Sequence, residues 1–245
     1  MKLAILASCV VALGICGSAS AAPPQYQPSD RDVTWARSLV LTTTDVGTPF
    51  ALEPSGTSPT TGWDFSCTTF DPDESDLVLS GDGGDAAYVR MDTGAVVLSF
   101  GGVWATATDA QSDWDRLAQA PLADCLGRAF ASGSMFSYAG TTPLTLPAIA
   151  PRTTGFRIQL KTTVTVPAKK KTTPHAKKSK KKAPKPKPRK VTIVYNVDLV
   201  ALGNGRASAL LLFGSFAKLP IGDAREQELA GVMAGRMASD PATQP

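Results

Sequence analysis

Three stretches decide the fold of this chain: FRIQLKTTVTV at 156–166, VTIVYNVDLVAL at 191–202 and ASALLLFGSF at 207–216. The first alternates apolar and polar residues, and the other two are mostly apolar, which is typical of half-buried and fully buried strands. Gly203-Asn204-Gly205 accepts positive φ angles and therefore predicts a tight turn between the last two strands. Because the three strands are consecutive and closely joined, they predict an antiparallel meander.

The rest of the pattern adds further strands and helices to this meander. Strands are predicted at 86–91 and 95–106, and a short strand or sheet edge at 63–67. Ser29, Thr108-x-x-Gln111 and Asp223-x-x-Glu226 are capping patterns, and each predicts the start of a helix. The second of these helices should reach Cys125, with an interruption at Pro121. Residues 42–62 are predicted to be irregular. We therefore predict an α+β fold, an antiparallel sheet with about three flanking helices in a single domain.

The N-terminus has the pattern of a secretory signal peptide over residues 1–21. Lys2 precedes a nearly uninterrupted apolar run, and Ala19-Ser20-Ala21 fits the A-x-A cleavage rule. A lipoprotein signal at Cys9 or Cys16 fits less well, so plain secretion is expected. The folded domain is predicted at 30–238, after a disordered lead at 22–29 and before a tail at 239–245.

Processing would leave two cysteines, Cys67 and Cys125. In an oxidising compartment, one structural disulfide between them is the simplest prediction. A catalytic thiol would need a nearby base, and the only histidine of the chain, His175, lies in a segment that is unsuited to a stable core.

The segment KKKTTPHAKKSKKKAPKPKPRK at 169–190, called the basic segment below, separates the first two strands of the meander. It carries 12 of the 25 Lys and Arg residues and none of the 21 Asp and Glu residues, so the rest of the chain has a formal charge of −8. Its composition predicts a disordered insertion at a hairpin tip. The candidate polyanion-binding residues are Lys169, Lys170, Lys171, Lys177, Lys178, Lys180, Lys181, Lys182, Lys185, Lys187, Arg189 and Lys190.

Such a concentration of positive charge predicts binding to polyanions through Coulomb attraction and counterion release. No aromatic ring is available to stack on bases, so sequence-specific recognition of nucleic acid is not expected. With secretion, the expected partners are anionic cell-wall polymers, anionic lipid headgroups or acidic glycans. Two alternatives stay open: a tolerated surface loop, and a loop that pairs with the acidic body of its own or a neighbouring molecule.

Several local patterns suggest a chemical site, but each has a simpler interpretation. Gly81-x-Gly83-x-x-Ala86 fits a dinucleotide fingerprint, yet its acidic residues favour an acidic, glycine-rich turn. Residues 71–76 lack the spacing of an EF-hand and favour a solvated acidic turn. Ser215-x-x-Lys218 ends a strand instead of opening a helix, and one histidine leaves too few ligands for zinc. We therefore assign no catalytic, cofactor-binding or metal-binding residues.

The order of several short stretches is also found in a known group of proteins. They are ARSLVLTTTDVG at 36–47, SC at 66–67, ADCL at 123–126, YNVDLVALGNGR at 195–206 and LLLF at 210–213. Over about residues 30–238 the chain resembles the secreted sensor-like proteins and lipoproteins of actinobacteria. These include the extracytoplasmic sensor domains of some mycobacterial Ser/Thr kinases, with a PsbP-like arrangement. The sequence departs from them in its basic segment, and it contains neither a kinase domain nor a predicted spanning helix.

The resemblance implies a non-enzymatic binding or sensing module with a ligand groove beside the sheet. Our first hypothesis is therefore a secreted module of this kind, held to anionic envelope polymers by the basic segment and able to bind a small ligand. The alternatives are a cell-wall hydrolase that uses a carboxylate pair, and a structural envelope protein that self-associates through pairing of the basic segment with the acidic body.

Overall fold

The fold is α+β, as predicted, in a computed structural model that describes residues 22–53, 69–132, 134–166 and 188–240. The predicted signal peptide, the predicted strand at 63–67 and most of the basic segment lie outside these residues. The strands are β1 (Gln25–Tyr26), β2 (Ala51–Leu52), β3 (Val78–Arg90), β4 (Ala95–Trp104), β5 (Ser137–Pro143), β6 (Arg152–Val166), β7 (Arg189–Asn204) and β8 (Ala207–Phe216). The helices are α1 (Asp30–Leu39), the single turn α2 (Thr43–Val46), α3 (Ala107–Leu117), α4 (Ala120–Ala131) and α5 (Asp223–Met237).

The strands form one sheet in the order β1-β3-β4-β8-β7-β6-β5, with β2 also paired to β3. All pairings are antiparallel except the short one between β1 and β3. The predicted meander is confirmed as β6-β7-β8, but Gly203 and Asn204 belong to β7, and the tight turn to β8 is formed by Gly205 and Arg206. The central strands β4 and β8 join this meander to the β3–β4 hairpin.

Helices cover both faces of the sheet. Leu211 and Phe213 of β8 point to one face, where they pack with residues of α1 and α5. Leu210 and Leu212 point to the opposite face and share a second core with Ala123 of α4. Successive residues of a strand face opposite sides, so a central strand between two helical layers must be apolar at nearly every position. This explains why β8 carries the uninterrupted ALLLF at 209–213.

Residues 81–85, which we predicted to form an acidic turn, belong to β3. Two irregularities in the register with β4 accommodate its glycines. A Cβ atom at Gly81 or Gly83 would overlap the carbonyl group of Asp32 or Ala36 in α1. The glycines are therefore needed for close approach between the helix and the sheet, and not for a turn or for phosphate binding.

Replacing Gly83 by Ala is expected to lower the free energy of unfolding by about 1–3 kcal/mol, because α1 must move away from the sheet to admit the methyl group. Urea unfolding followed by circular dichroism measures the change. Gly231→Ala in α5 is the control, since a Cβ at that position has open space and should be neutral or stabilising. Equal stability of Gly83→Ala and the unmodified chain would contradict this account of the glycine.

Several local predictions need correction. Residues 22–29 are ordered in part, because β1 pairs with β3 and the Ser29 amide donates to the Ser80 carbonyl. The predicted helix at 108–125 is two helices, α3 and α4, and the cap of α3 is Thr106 with Asp109 in place of Thr108 with Gln111. Pro121 lies in the first turn of α4, where a proline lacking N–H is tolerated.

The hairpin of β6 and β7 extends beyond its neighbouring strands. The last pairing of β5 is at Lys161, and the pairing of β7 with β8 begins at Tyr195. Residues 162–166 and 189–193, called the ribbon below, therefore pair only with each other among the described residues. At the usual rise per residue they span about 17 Å. The tip of this projecting two-stranded ribbon is the Val166–Arg189 pair, which brackets most of the basic segment in the chain.

Candidate binding cavity

A cavity of about 230 Å³ lies between β6, β7, the N-terminal part of α5 and the chain that follows β5. Its apolar wall consists of Leu144, Leu146, Ile149, Val200 and Ala230. Its charged residues are Arg157, Asp198, Asp223 and Glu226. Since drug-sized ligands usually occupy about 300–1,000 Å³, this volume suits a small molecule or one end of a longer one.

Arg157 and Asp198 are fixed to one another by the sheet. They are cross-strand partners in β6 and β7, so their side chains lie on the same face. Arg157 Nε donates to Asp198 Oδ1 at 2.7 Å and Nη2 donates to Oδ2 at 2.5 Å, which is a bidentate pair. Asp198 is only 3% exposed. These hydrogen bonds raise the pKa of the Arg157 guanidinium, so the arginine stays charged.

Glu226 brings a second buried carboxyl group to the same place. It belongs to the first turn of α5 and is 9% exposed. Burial raises its pKa from 4.5 to about 8, and the charge of Asp198 and a hydrogen bond with Asp198 act in the same direction. Glu226 is therefore mostly protonated at neutral pH and can donate a hydrogen bond.

Asp223 lies at the edge of the cavity with an exposed side chain, and its Oδ1 is 3.8 Å from Arg157 Nη2. The cavity thus combines an ion pair, a neutral carboxylic acid and an exposed carboxylate with an apolar wall. Such a set can accept and donate hydrogen bonds to a small polar ligand and can cover its apolar part.

The sequence predicted none of these cavity residues as a site. Asp223 and Glu226 were interpreted as a helix cap, but the N-cap is Gly222, which has positive φ and no capping side chain. The available signal was in the strands: Arg157 lies between two apolar residues in β6, and Asp198 lies between two in β7. Opposite charges that interrupt adjacent apolar strands are candidates for a buried pair.

The structure describes only two of the predicted polyanion-binding residues. Arg189 and Lys190 are not part of a disordered insertion, because they begin β7 and pair with Val166 and Thr165. The other candidates lie outside the described residues: Lys169, Lys170, Lys171, Lys177, Lys178, Lys180, Lys181, Lys182, Lys185 and Lys187.

The predicted disulfide stays a prediction, because Cys67 lies outside the described residues. Cys125 is buried in α4, and its Sγ lies 4.0 Å from the carbonyl oxygen of Phe70. The chain three residues after Cys67 therefore runs next to Cys125, a placement that suits the proposed bond.

The acidic stretch at 71–76 and the Ser215-x-x-Lys218 pattern both belong to the framework of the fold. Asp76 accepts two hydrogen bonds from Arg116, which hold its pKa below the usual range, so part of the acidic stretch at 71–76 is anchored to α3. Ser215 is buried in β8, so Ser215-x-x-Lys218 does not open a helix.

No protein-family model matches this chain, and no curated protein is significantly similar to it. Among the helices of the described residues, none has the length and apolar character needed to span a membrane.

Proposed function

We propose that this protein is a secreted, non-enzymatic binding module that the basic segment holds to anionic polymers of the cell envelope. The observation that carries the proposal is the position of that segment. The Val166–Arg189 pair at the tip of the ribbon brackets ten of its lysines, and the rest of the chain has a formal charge of −8. Attachment at this tip supports the proposal, because charges held apart from an acidic body pair less with it and are available to an external polyanion.

The strength of the interaction follows from the number of charges. Near an anionic surface each Lys or Arg contributes about 1 kcal/mol, and salt weakens this contribution. Cell-wall polymers, anionic lipid headgroups and acidic glycans share the required chemistry. The cavity beneath α5 supports the binding part of the proposal, because it offers apolar surface and both donors and acceptors to a small ligand.

Retention on isolated cell walls across a salt series tests the tether. The unmodified chain is expected to bind at low salt and to be released as salt rises. A variant with the ten lysines of residues 169–187 replaced by glutamine keeps the length of the segment and should lose most retention. As a matched control, Lys161 and Lys218, which lie outside the segment, are replaced in the same way and should have little effect. Salt-insensitive retention, or equal retention of the glutamine variant, would refute the tether.

A hydrolase that uses Asp198 and Glu226 is the second candidate. One observation favours it: two buried carboxyl groups line a cavity, and the pKa of one of them is raised to about 8. Their arrangement argues against glycoside hydrolysis, because a hydrogen-bonded pair is closer than the separation of about 5 Å or more that such enzymes use. If the protein hydrolyses wall material, and if Glu226→Gln abolishes this activity without unfolding the chain, the hydrolase becomes the favoured function.

A further inference from the structure

The ribbon has two chemically different faces. Cross-strand partners share a face, so the pairings Thr162–Ile193 and Val164–Val191, together with Val166, place apolar residues on one side. The opposite side carries Thr163 paired with Thr192, and Thr165 paired with Lys190. We call the first side the apolar face of the ribbon.

The apolar face continues the core that lies beneath α4. Leu160 and its partner Tyr195 have the same orientation and are buried in that core. Exposure increases along the hairpin, and Val166 at the tip is 44% exposed. At the base, Phe136 packs on Tyr195 with ring centroids 5.8 Å apart, and the adjacent Met135 is 50% exposed. An apolar strip thus runs from the rim of the core, through the half-buried Val164, Val191 and Ile193, to the exposed Val166 at the tip of the ribbon.

The stretch of chain that contains the ribbon carries charges of one sign. No Asp or Glu occurs between Asp124 and Asp198, a range that includes β5, β6 and the whole ribbon. Arg189 pairs with Val166 and therefore lies on the apolar face at its tip, while Lys190 lies on the opposite side of the same tip. Apolar side chains with flanking cations are complementary to a lipid surface that has anionic headgroups.

We propose that the apolar face of the ribbon docks on a bilayer that contains anionic phospholipid. Val164, Val166, Val191 and Ile193 enter the headgroup region, and Arg189 and Lys190 contact phosphates. This inference rests on the proposed function, and it selects lipid among the anionic partners, because a wall polymer has no acyl layer to receive apolar side chains.

Flotation of the full chain with vesicles of phosphatidylglycerol and phosphatidylcholine tests the proposal. In the test variant Val164, Val166 and Val191 are each replaced by Thr, which keeps the β-branched shape but adds a hydroxyl group. The fraction bound is expected to fall about tenfold. The reason is that the variant lacks three methyl groups whose transfer from water into the bilayer favours binding. In the control Thr163, Thr165 and Thr192 are each replaced by Ser, and binding should stay within twofold. Thermal unfolding of each variant checks that the fold is intact.

Vesicle binding of the Val→Thr variant within twofold of the unmodified chain would overturn the proposal, as would an equal loss in the Ser control. Cell-wall retention of the same variants separates this inference from the proposed function. If the unmodified chain is retained on walls but does not float with vesicles, the lipid inference fails and the polymer tether stands. If it binds neither, both fail.

Discussion

Replacing Arg157 by Met is expected to lower the free energy of unfolding by about 3 kcal/mol, because Asp198 then has a buried charge without its partner. Asp198 accepts both hydrogen bonds of the guanidinium and is almost fully buried. Breaking a buried pair usually costs about 3–5 kcal/mol, and the lower end applies here because Arg157 reaches solvent through the cavity. Urea unfolding at pH 7 measures the loss.

Arg90→Met is the matched control for this variant. The Arg90 and Arg157 side chains are both 37% exposed, but Asp92, the partner of Arg90, is 61% exposed, whereas the Asp198 side chain is 4% exposed. Breaking the exposed pair should have a much smaller effect, because solvent screens both charges. Adding Asp198→Leu to Arg157→Met should recover most of the loss, since an apolar pair of similar volume avoids the unpaired charge. Equal effects of Arg157→Met and Arg90→Met would contradict the structural role of the buried pair.

The meander could be predicted because its signals are local. The alternation in β6, the apolar runs of β7 and β8, and the turn signal of Gly203-Asn204-Gly205, which lies within two residues of the observed turn at Gly205-Arg206, each act over a few residues. Burial on both faces explains the apolar runs, and the short turn leaves little choice of partner strand. The order β6-β7-β8 within the meander then follows from chain connectivity, whereas the pairing of β4 with β8 joins strands that are not consecutive in the chain.

The errors in the predicted secondary structure occur where contacts between residues distant in the chain override the local conformational preference. Gly81 and Gly83 favour a turn in isolation, but their missing side chains let α1 approach β3. β5 was not predicted, because its SYAGTTP sequence has almost no apolar alternation and it forms an edge by pairing with β6 alone. Edge strands of this kind depend on a neighbour for their hydrogen bonds, so their own sequence says little about them.

The candidate cavity was missed for the same reason. Arg157 and Asp198 are 41 residues apart in the chain, and Glu226 belongs to a helix that follows the meander. Each looks like an ordinary polar residue in its own segment. Only the pairing of β6 with β7 and the packing of α5 on β7 and β8 bring the three together and bury two carboxyl groups around one guanidinium. The raised pKa of Glu226 is a product of that packing.

Replacing Glu226 by Gln is expected to remove a large part of the pH dependence of stability. The folded chain keeps a proton on Glu226 up to a pKa of about 8, whereas the unfolded chain releases it near 4.5. Because the native state binds this proton more tightly, its stabilising contribution is complete below pH 4.5, falls as pH rises and is absent above pH 8. One proton changes the free energy of unfolding by up to about 1.4 kcal/mol per pH unit, so between pH 5 and 8 the unmodified chain should lose about 2–4 kcal/mol more than the variant.

Urea unfolding at intervals between pH 5 and 8.5 measures both profiles. Glu228→Gln is the control, because Glu228 belongs to the same helix but its side chain is 62% exposed and pairs with Arg225. Its profile should follow that of the unmodified chain, while Glu226→Gln should be the more stable protein above pH 8. Parallel profiles for all three proteins would mean that Glu226 titrates like an exposed carboxyl group, and the cavity would then lose its neutral hydrogen-bond donor.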